Sequence, residues 1–279
     1  MKSLFDTVSF KASKLVTNEY STSFSLATKM LGKSIQQDIY NIYGFVRFAD
    51  EIVDSFKGFE QEKLFKDFER QLYDSLKDGI SLNPILNAFQ NTYHKYNLSL
   101  DHVKAFMKSM EADLQKKKYT TIQEYEEYIF GSADVVGLMC LQVFVKGDIS
   151  KFESLKEPAM KLGSAFQKVN FLRDLKEDYD ELGRTYFPNT NLEDLNEDSK
   201  KKLINEIELD FKNAYHGIMK LPEEAKFGVF VAYRYYKQLL NKIAKTPAED
   251  IKNTRIRVAD YKKMELLTRS YVKYQLNLL

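Results

Sequence analysis

Apolar side chains return every three to four residues through most of the chain, and runs that alternate apolar with polar, as half-buried strands do, are scarce. That period predicts roughly nine or ten helices, near residues 5–30, 35–56, 60–78, 84–96, 99–116, 121–145, 152–180, 198–219, 222–245 and 255–277. Punctuation supports the boundaries. Thr121 with Glu124 forms a capping-box pattern, and Pro84, Pro222 and Pro247 stand where helices begin. Pro158 is expected to open the helix that runs to the acidic segment near residue 178, and Pro188 to close the loop after it. The stretch 189–202, rich in Asn, Asp and Glu, reads as a surface loop. With no repeat at solenoid spacing and no Gly/Ser-rich linker, residues 1–279 read as one all-α domain.

Two helices break the usual segregation of apolar and charged faces. In "YGFVRFADEIVD", Tyr43 to Asp54, the side chains of Tyr43, Arg47, Asp50 and Asp54 fall within an arc of roughly 60°. Ile39, Val46 and Val53 lie to one side of it, and Phe45, Phe48 and Ile52 on the opposite face, so the helix is apolar on both flanks. A charged stripe on such a helix cannot simply face bulk water, because buried carboxylates need a partner or a cation. The second stripe, Met160, Gly163, Gln167, Asn170, Asp174 and Asp178, spans roughly 80° and grades from apolar through amide to carboxylate. It describes a pocket wall with an apolar floor and an acidic mouth. A single i,i+4 pair of acids is usually surface decoration; two pairs, each with an arginine beside it, are a different matter.

Composition removes several alternatives. The 279 residues are 44% apolar, enough for a substantial core, and 42 basic against 40 acidic residues give a formal charge of +2, which offers nucleic acid no electrostatic footprint. The Lys116–Lys118 run is expected to be a solvated turn. One cysteine, Cys140, and three histidines without HExxH spacing leave no thiol or imidazole metal site. Carboxylates one helical turn apart are hard oxygen donors that suit Mg²⁺, with Mn²⁺ as a substitute, held against a diphosphate. The N-terminal residues lack a signal-peptide pattern and the apolar run near Val135–Val145 is too short to span a bilayer, so a cytoplasmic location is expected. The segment 225–243, rich in Phe and Tyr with Lys226, Arg234, Lys237 and Lys242, reads as a core helix with a basic edge or as a rim in weak peripheral contact with a membrane.

"YGFVRFADEIVD" and "AFQKVNFLRDLKEDYDELGRTYFP" resemble the two aspartate-rich signatures of the phytoene/squalene synthase family. "STSF", Ser21 to Phe24, is similar to that family's N-terminal Ser-x-Ser-Phe, and "FGSADVVGLM" to its Gly-rich helix. The resemblance covers about residues 18–190 in family order. It implies an all-α isoprenoid synthase bundle around a central cavity that joins two allylic diphosphates head to head. By that resemblance Asp50, Asp54, Asp174 and Asp178, with Asn170, would ligate magnesium. Arg47, Arg173, Arg257 and Tyr236 would hold diphosphate oxygens. Ser21, Tyr43, Gln167 and Asn170 would line the reaction centre, and Phe24, Tyr128, Val136, Leu162 and Phe166 the tail cavity. Departures from the family pattern are Glu51, Gly32, Ser132, Asp134 and one extra residue between Asp178 and Tyr186.

The expected substrates are two C20 diphosphates, giving phytoene without NADPH in carotenoid biosynthesis. Other readings are a dehydrosqualene or squalene synthase using C15 substrates, an inactive family member acting as a binding factor, and a head-to-tail prenyltransferase of the same fold.

Overall fold

The structure is a computed structural model that describes residues 2–188 and 195–276. Its helices are α1 (Lys2–Tyr20), α2 (Thr22–Lys29), α3 (Lys33–Asp54), α4 (Gln61–Asp78), α5 (Pro84–Tyr96), α6 (Leu100–Gln115) and α7 (Ile122–Ile129). They continue with α8 (Val135–Phe144), α9 (Ile149–Arg173), α10 (Leu175–Glu177), α11 (Glu197–Lys220), α12 (Glu223–Lys245), α13 (Ala248–Asn253) and α14 (Asp260–Gln275). The described residues contain no β-strand beyond two isolated bridges.

Helix α3 runs through the centre of the first half. It buries Ile35, Ile39, Ile42, Phe45 and Ala49 almost completely, and Phe45 stacks on Phe89 of α5 at 4.1 Å and meets Phe106 of α6 edge-on at 5.3 Å. A second cluster joins α7, α9, α11, α12 and α13 through Tyr128, Phe171, Phe211, Leu239, Ile243 and Ile251. The apolar cavity lies between these two clusters, walled by α2, α3, α8, α9, α11 and α12.

Most departures from the sequence expectation are local interruptions that the 3.6-residue period does not register. The helix expected over 5–30 breaks at Ser21, whose extended backbone and hydroxyl cap α2 by accepting from the Phe24 amide at 3.2 Å. Residues 122–144 form a single rod, interrupted by a π-turn at Phe130–Asp134. That rod is long and apolar enough to cross a membrane by length and composition, unlike the shorter run expected, but its central residues Val135, Leu138 and Met139 are buried in the core. The helix expected to reach 180 ends at Arg173, and a π-turn follows at Asp178–Leu182.

Pro158 does not open a helix; it lies inside α9. A proline there deprives the carbonyl four residues back of its donor, and that carbonyl belongs to exposed Ser154, where water can replace the bond. Gly217 of α11 gives the ring room, since a Cβ at 217 would stand 2.3 Å from Pro158 Cβ. Of the expected loop 189–202, residues 189–194 lie outside the described residues and 197–202 are already α11, capped by Asn196 and Ser199. The last helix starts at Asp260, and residues 254–259 run non-helically before it.

Asp134, on the π-turn, is buried and accepts a hydrogen bond from Ser164 Oγ at 2.7 Å. Burial raises its carboxyl to about 7, against smaller lowering by Ser164, Lys161 and Lys168. The folded state therefore binds this proton more tightly than the unfolded chain. Its stabilising contribution is complete below the unfolded value near 4 and is lost as pH rises to about 7, at up to about 1.4 kcal/mol per pH unit. Asp134→Asn should accordingly raise the urea midpoint relative to wild type at pH 8 and leave it nearly unchanged at pH 4; equal shifts at both would contradict a protonation origin.

Candidate active site

Helix α3 and the end of α9 carry two acidic segments that begin one helical turn beyond Val46 and Asn170 of the cavity lining; none of the four aspartates lines the cavity itself, and arginines hold each segment in place. Arg47 forks between Asp50, at 2.6 Å, and Glu51, while its guanidinium lies 4.5 Å from the centroid of the Tyr20 ring. Arg173 grips Asp174 with Nε at 2.9 Å from Oδ1. Arg255 reaches the same carboxylate at 2.8 Å and Glu177 at 2.8 Å. Arg184, almost wholly buried, bonds Asp54 at 2.6 Å and the Asp113 carbonyl at 2.7 Å.

The carboxylates also act on one another. Burial first, then the charge of Asp54, pushes Asp50 up to about 7 against the pull of Arg47. Burial, then Asp174 and Asp54, pushes Asp178 up to about 8. Asp54 perturbs both partners, so the α3 segment and the segment after α9 share one field. Carboxyls raised by burial and by a neighbouring like charge are poised to take a cation.

Beneath the mouth the cavity measures about 270 Å³. Phe24, Tyr43, Val136, Leu162, Phe166, Gln167 and Asn170 line it, and so does Tyr236, which was expected on diphosphate oxygens. Phe24 stacks on Tyr43 at 4.6 Å and Phe166 on Tyr236 at 3.9 Å, and the Tyr236 hydroxyl donates to Asn170 Oδ1 at 3.3 Å. Burial drives the Tyr43 phenol up to about 12, opposed by Arg47 and by a hydrogen bond with Ser21, so Tyr43 is a neutral hydroxyl facing the cavity. Ser21 stands at the α2 cap rather than in the lining.

Two assignments change. Tyr128 is not in the cavity wall: its hydroxyl donates to Asp113 Oδ2 at 2.8 Å, and its ring stacks on Tyr186 at 5.2 Å beneath the mouth. Arg257 is exposed, with its carbonyl accepting from Lys242; in the non-helical stretch before α14 it is Arg255, two residues earlier, that reaches the acids. Residues that sequence reasoning left without a role are Arg184, Asp113, Arg255, Glu51 and Glu177. Arg184 lies in the "GRTYFP" stretch and so had a local signal, whereas Asp113, on α6, had none. Tyr186 gains a place as well, hydrogen-bonding Arg184 and stacking on Phe171 at 4.0 Å.

Among the described residues no three His, Cys, Asp or Glu side chains converge closely enough to enclose a metal ion by themselves. The donor set fits a hard cation nonetheless: it is all oxygen and paired, and burial with neighbouring like charge raises Asp50 and Asp178. Mg²⁺ characteristically takes one or two protein carboxylates and fills its shell with water and phosphate oxygens.

The family model described as squalene/phytoene synthase matches residues 17–262. A phytoene synthase of Arthrospira platensis is 27% identical over 93% of this chain and 91% of its own length. The chloroplastic phytoene synthase of Daucus carota is 29% identical over 82% of this chain and 61% of its own. Among solved structures, a dehydrosqualene synthase in complex with ligand superimposes with a TM-score of 0.82 at 24% identity, covering 97% of this chain and 98% of that one. A squalene synthase from Alicyclobacillus acidocaldarius gives 0.74 at 19% identity over 88% and 95%. These likenesses establish the all-α isoprenoid synthase fold.

Removing Arg184 would leave Asp54 and Asp113 facing each other without their common cation. Losing one member of a buried charge cluster costs about 3–5 kcal/mol. Arg184→Ala should therefore lower the free energy of unfolding by that order in urea titration at pH 8. A loss below about 1 kcal/mol, the range of exposed ion pairs, would show that solvent screens the cluster.

Proposed function

The chain belongs to the squalene/phytoene synthase family, a family of head-to-head isoprenoid synthases, and we propose that it joins two C20 allylic diphosphates to make phytoene through a cyclopropyl diphosphate. The observation that carries the C20 reading is Thr28. It lines the cavity one turn beyond Phe24, 2% exposed, with its hydroxyl bonded to the Phe24 carbonyl at 2.9 Å. A small side chain with its polar atom turned back into its own helix leaves that wall open to the end of a long tail.

Asp50, Asp54, Asp174 and Asp178, with the Asn170 oxygen, would hold Mg²⁺ or Mn²⁺. When bound, the metal neutralises charge on the departing diphosphate. The chain's own groups do the rest. Arg47, Arg173 and Arg255 exchange part of their hold on carboxylates for diphosphate oxygens as the substrate enters. Phe24, Val136, Leu162 and Phe166 keep water from the allylic cation left by ionisation. The second substrate's double bond attacks that cation, and loss of a proton closes the cyclopropane. A second ionisation, rearrangement and proton loss yield a symmetric hydrocarbon. The ring faces of Tyr43, Phe166 and Tyr236 offer negative potential to these cations, and Tyr43, Gln167, Asn170 and Tyr236 supply the polar edge where charge develops. Released diphosphate serves as the proton acceptor.

Purified protein incubated with C15 or C20 diphosphate, with and without NADPH, should convert C20 to phytoene in Mg²⁺ without reductant and stop in EDTA. Turnover in EDTA would overturn the metal-dependent reading; faster use of C15 would replace the substrate while leaving the reaction class.

Thr28→Phe should shift preference toward C15 by about tenfold or more, because overpacking a close-packed wall costs about 1–3 kcal/mol. An unchanged C20/C15 ratio in a folded Thr28→Phe variant would remove Thr28 as the determinant.

A further inference from the structure

Tyr20 closes α1 and Phe24 lies in α2, on either side of the break at Ser21, and each lays its ring on one turn of the α3 stripe. Phe24 stacks on Tyr43 at 4.6 Å, and Tyr20 covers the Arg47 guanidinium at 4.5 Å from its ring centroid. A hydrogen bond between Ser21 and Tyr43 joins the break itself to the same stripe. Phe24 has a second duty in the cavity lining. Tyr20 does not: it stands outside the three hydrophobic clusters and is 48% exposed. Burial of apolar surface therefore accounts for little of its placement. The contact it makes is with a planar cation, which meets the negative face of the ring's quadrupole.

Arg47 is only partly saturated. Nη1 donates to Asp50 at 2.6 Å and Nη2 donates to Glu51, while Nε is buried and has no hydrogen-bond partner among the described residues. A buried donor left unpaired is costly, and an arginine edge of two parallel N–H groups is what matches two phosphate oxygens. If a diphosphate displaces one of the two carboxylates, the long side chain regains rotamer freedom unless something else holds it. A ring over the guanidinium plane survives that exchange, because it occupies a face and not an edge.

We propose that Tyr20 is a positioning residue for diphosphate: its ring fixes the plane of the Arg47 guanidinium, so that Nε–H and the Nη released by a carboxylate are presented together to phosphate oxygens. This role rests on the reading of the mouth as a diphosphate site. It requires a ring and not a hydroxyl, and it acts only through Arg47.

Both requirements are read from the affinity of the full chain for inorganic diphosphate with Mg²⁺, measured by titration calorimetry, with folding followed in urea. Tyr20→Leu keeps an apolar side chain and removes the ring face; it should weaken binding about fivefold, the size of a half-exposed cation–π contact. Tyr20→Phe keeps the face and should bind within about twofold of wild type. In an Arg47→Gln background, Tyr20→Leu should change affinity by less than about twofold, because the coupling vanishes with the cation. Urea midpoints of both Tyr20 variants should stay near that of wild type, as expected of a half-exposed side chain. Unchanged affinity in Tyr20→Leu, equal losses in Tyr20→Leu and Tyr20→Phe, or the same loss without Arg47 would each overturn the role. Folded wild-type protein that takes up no diphosphate would instead remove the diphosphate reading itself, and this role with it. If Arg47→Gln binds too weakly to titrate, the contrast between Tyr20→Phe and Tyr20→Leu decides.

Discussion

Like charges taken out of water repel, and the mouth of this cavity gathers Asp50, Glu51, Asp54, Asp174, Glu177 and Asp178 at the ends of two helical segments. Four arginines from different parts of the chain make that gathering tolerable: Arg47 within α3, Arg173 at the end of α9, Arg184 after the π-turn and Arg255 before α14. Arg184 is the most consequential because it is buried and touches both α3 and α6. Without a cation between Asp54 and Asp113, the acidic end of α3 could not pack against the segment that follows α9.

The same pairing explains how a half-buried acidic mouth persists without a bound ligand. Asp50, Glu51, Asp54, Asp174 and Glu177 are each held by an arginine, a group that also binds phosphate oxygens, so on the proposed reading a diphosphate would exchange existing pairs instead of entering an empty field. Neutral Tyr43 and the Tyr236–Asn170 bond mark where the charged layer ends. Below them the wall is apolar, and the change of environment occurs within about one helical turn, from Asn170 to Phe166.

Much of this was legible in the sequence because it is carried by helical period. The α3 stripe and the cavity face of α9 depend only on spacing, and the structure brings Tyr43, Gln167 and Asn170 together as spacing requires. What escaped depends on competition between a side chain and its own backbone, or on partners distant in sequence. Ser21 ends α1 by capping its successor. Pro158 is tolerated because Gly217, on another helix, lacks a Cβ. Arg257 rests on family resemblance alone, and it is Arg255, two residues earlier in a non-helical stretch, that reaches the acids. Asp113 carries no pattern at all; its role arises only once α6 lies behind Arg184.

The contact between Pro158 and Gly217 lies in the cavity lining, with Ile218 and Leu221 beside it, more than four turns of α9 before Asp174 at that helix's end. The depth of the cavity and the electrostatics of its opening are thus encoded by different residues. On the proposed reading, a lineage carrying this architecture could lengthen or shorten the tail it accepts by trading volume among a few floor residues while the carboxylates and arginines stay fixed. Divergence in substrate length then requires no rediscovery of chemistry, only a change in how far two helices stand apart.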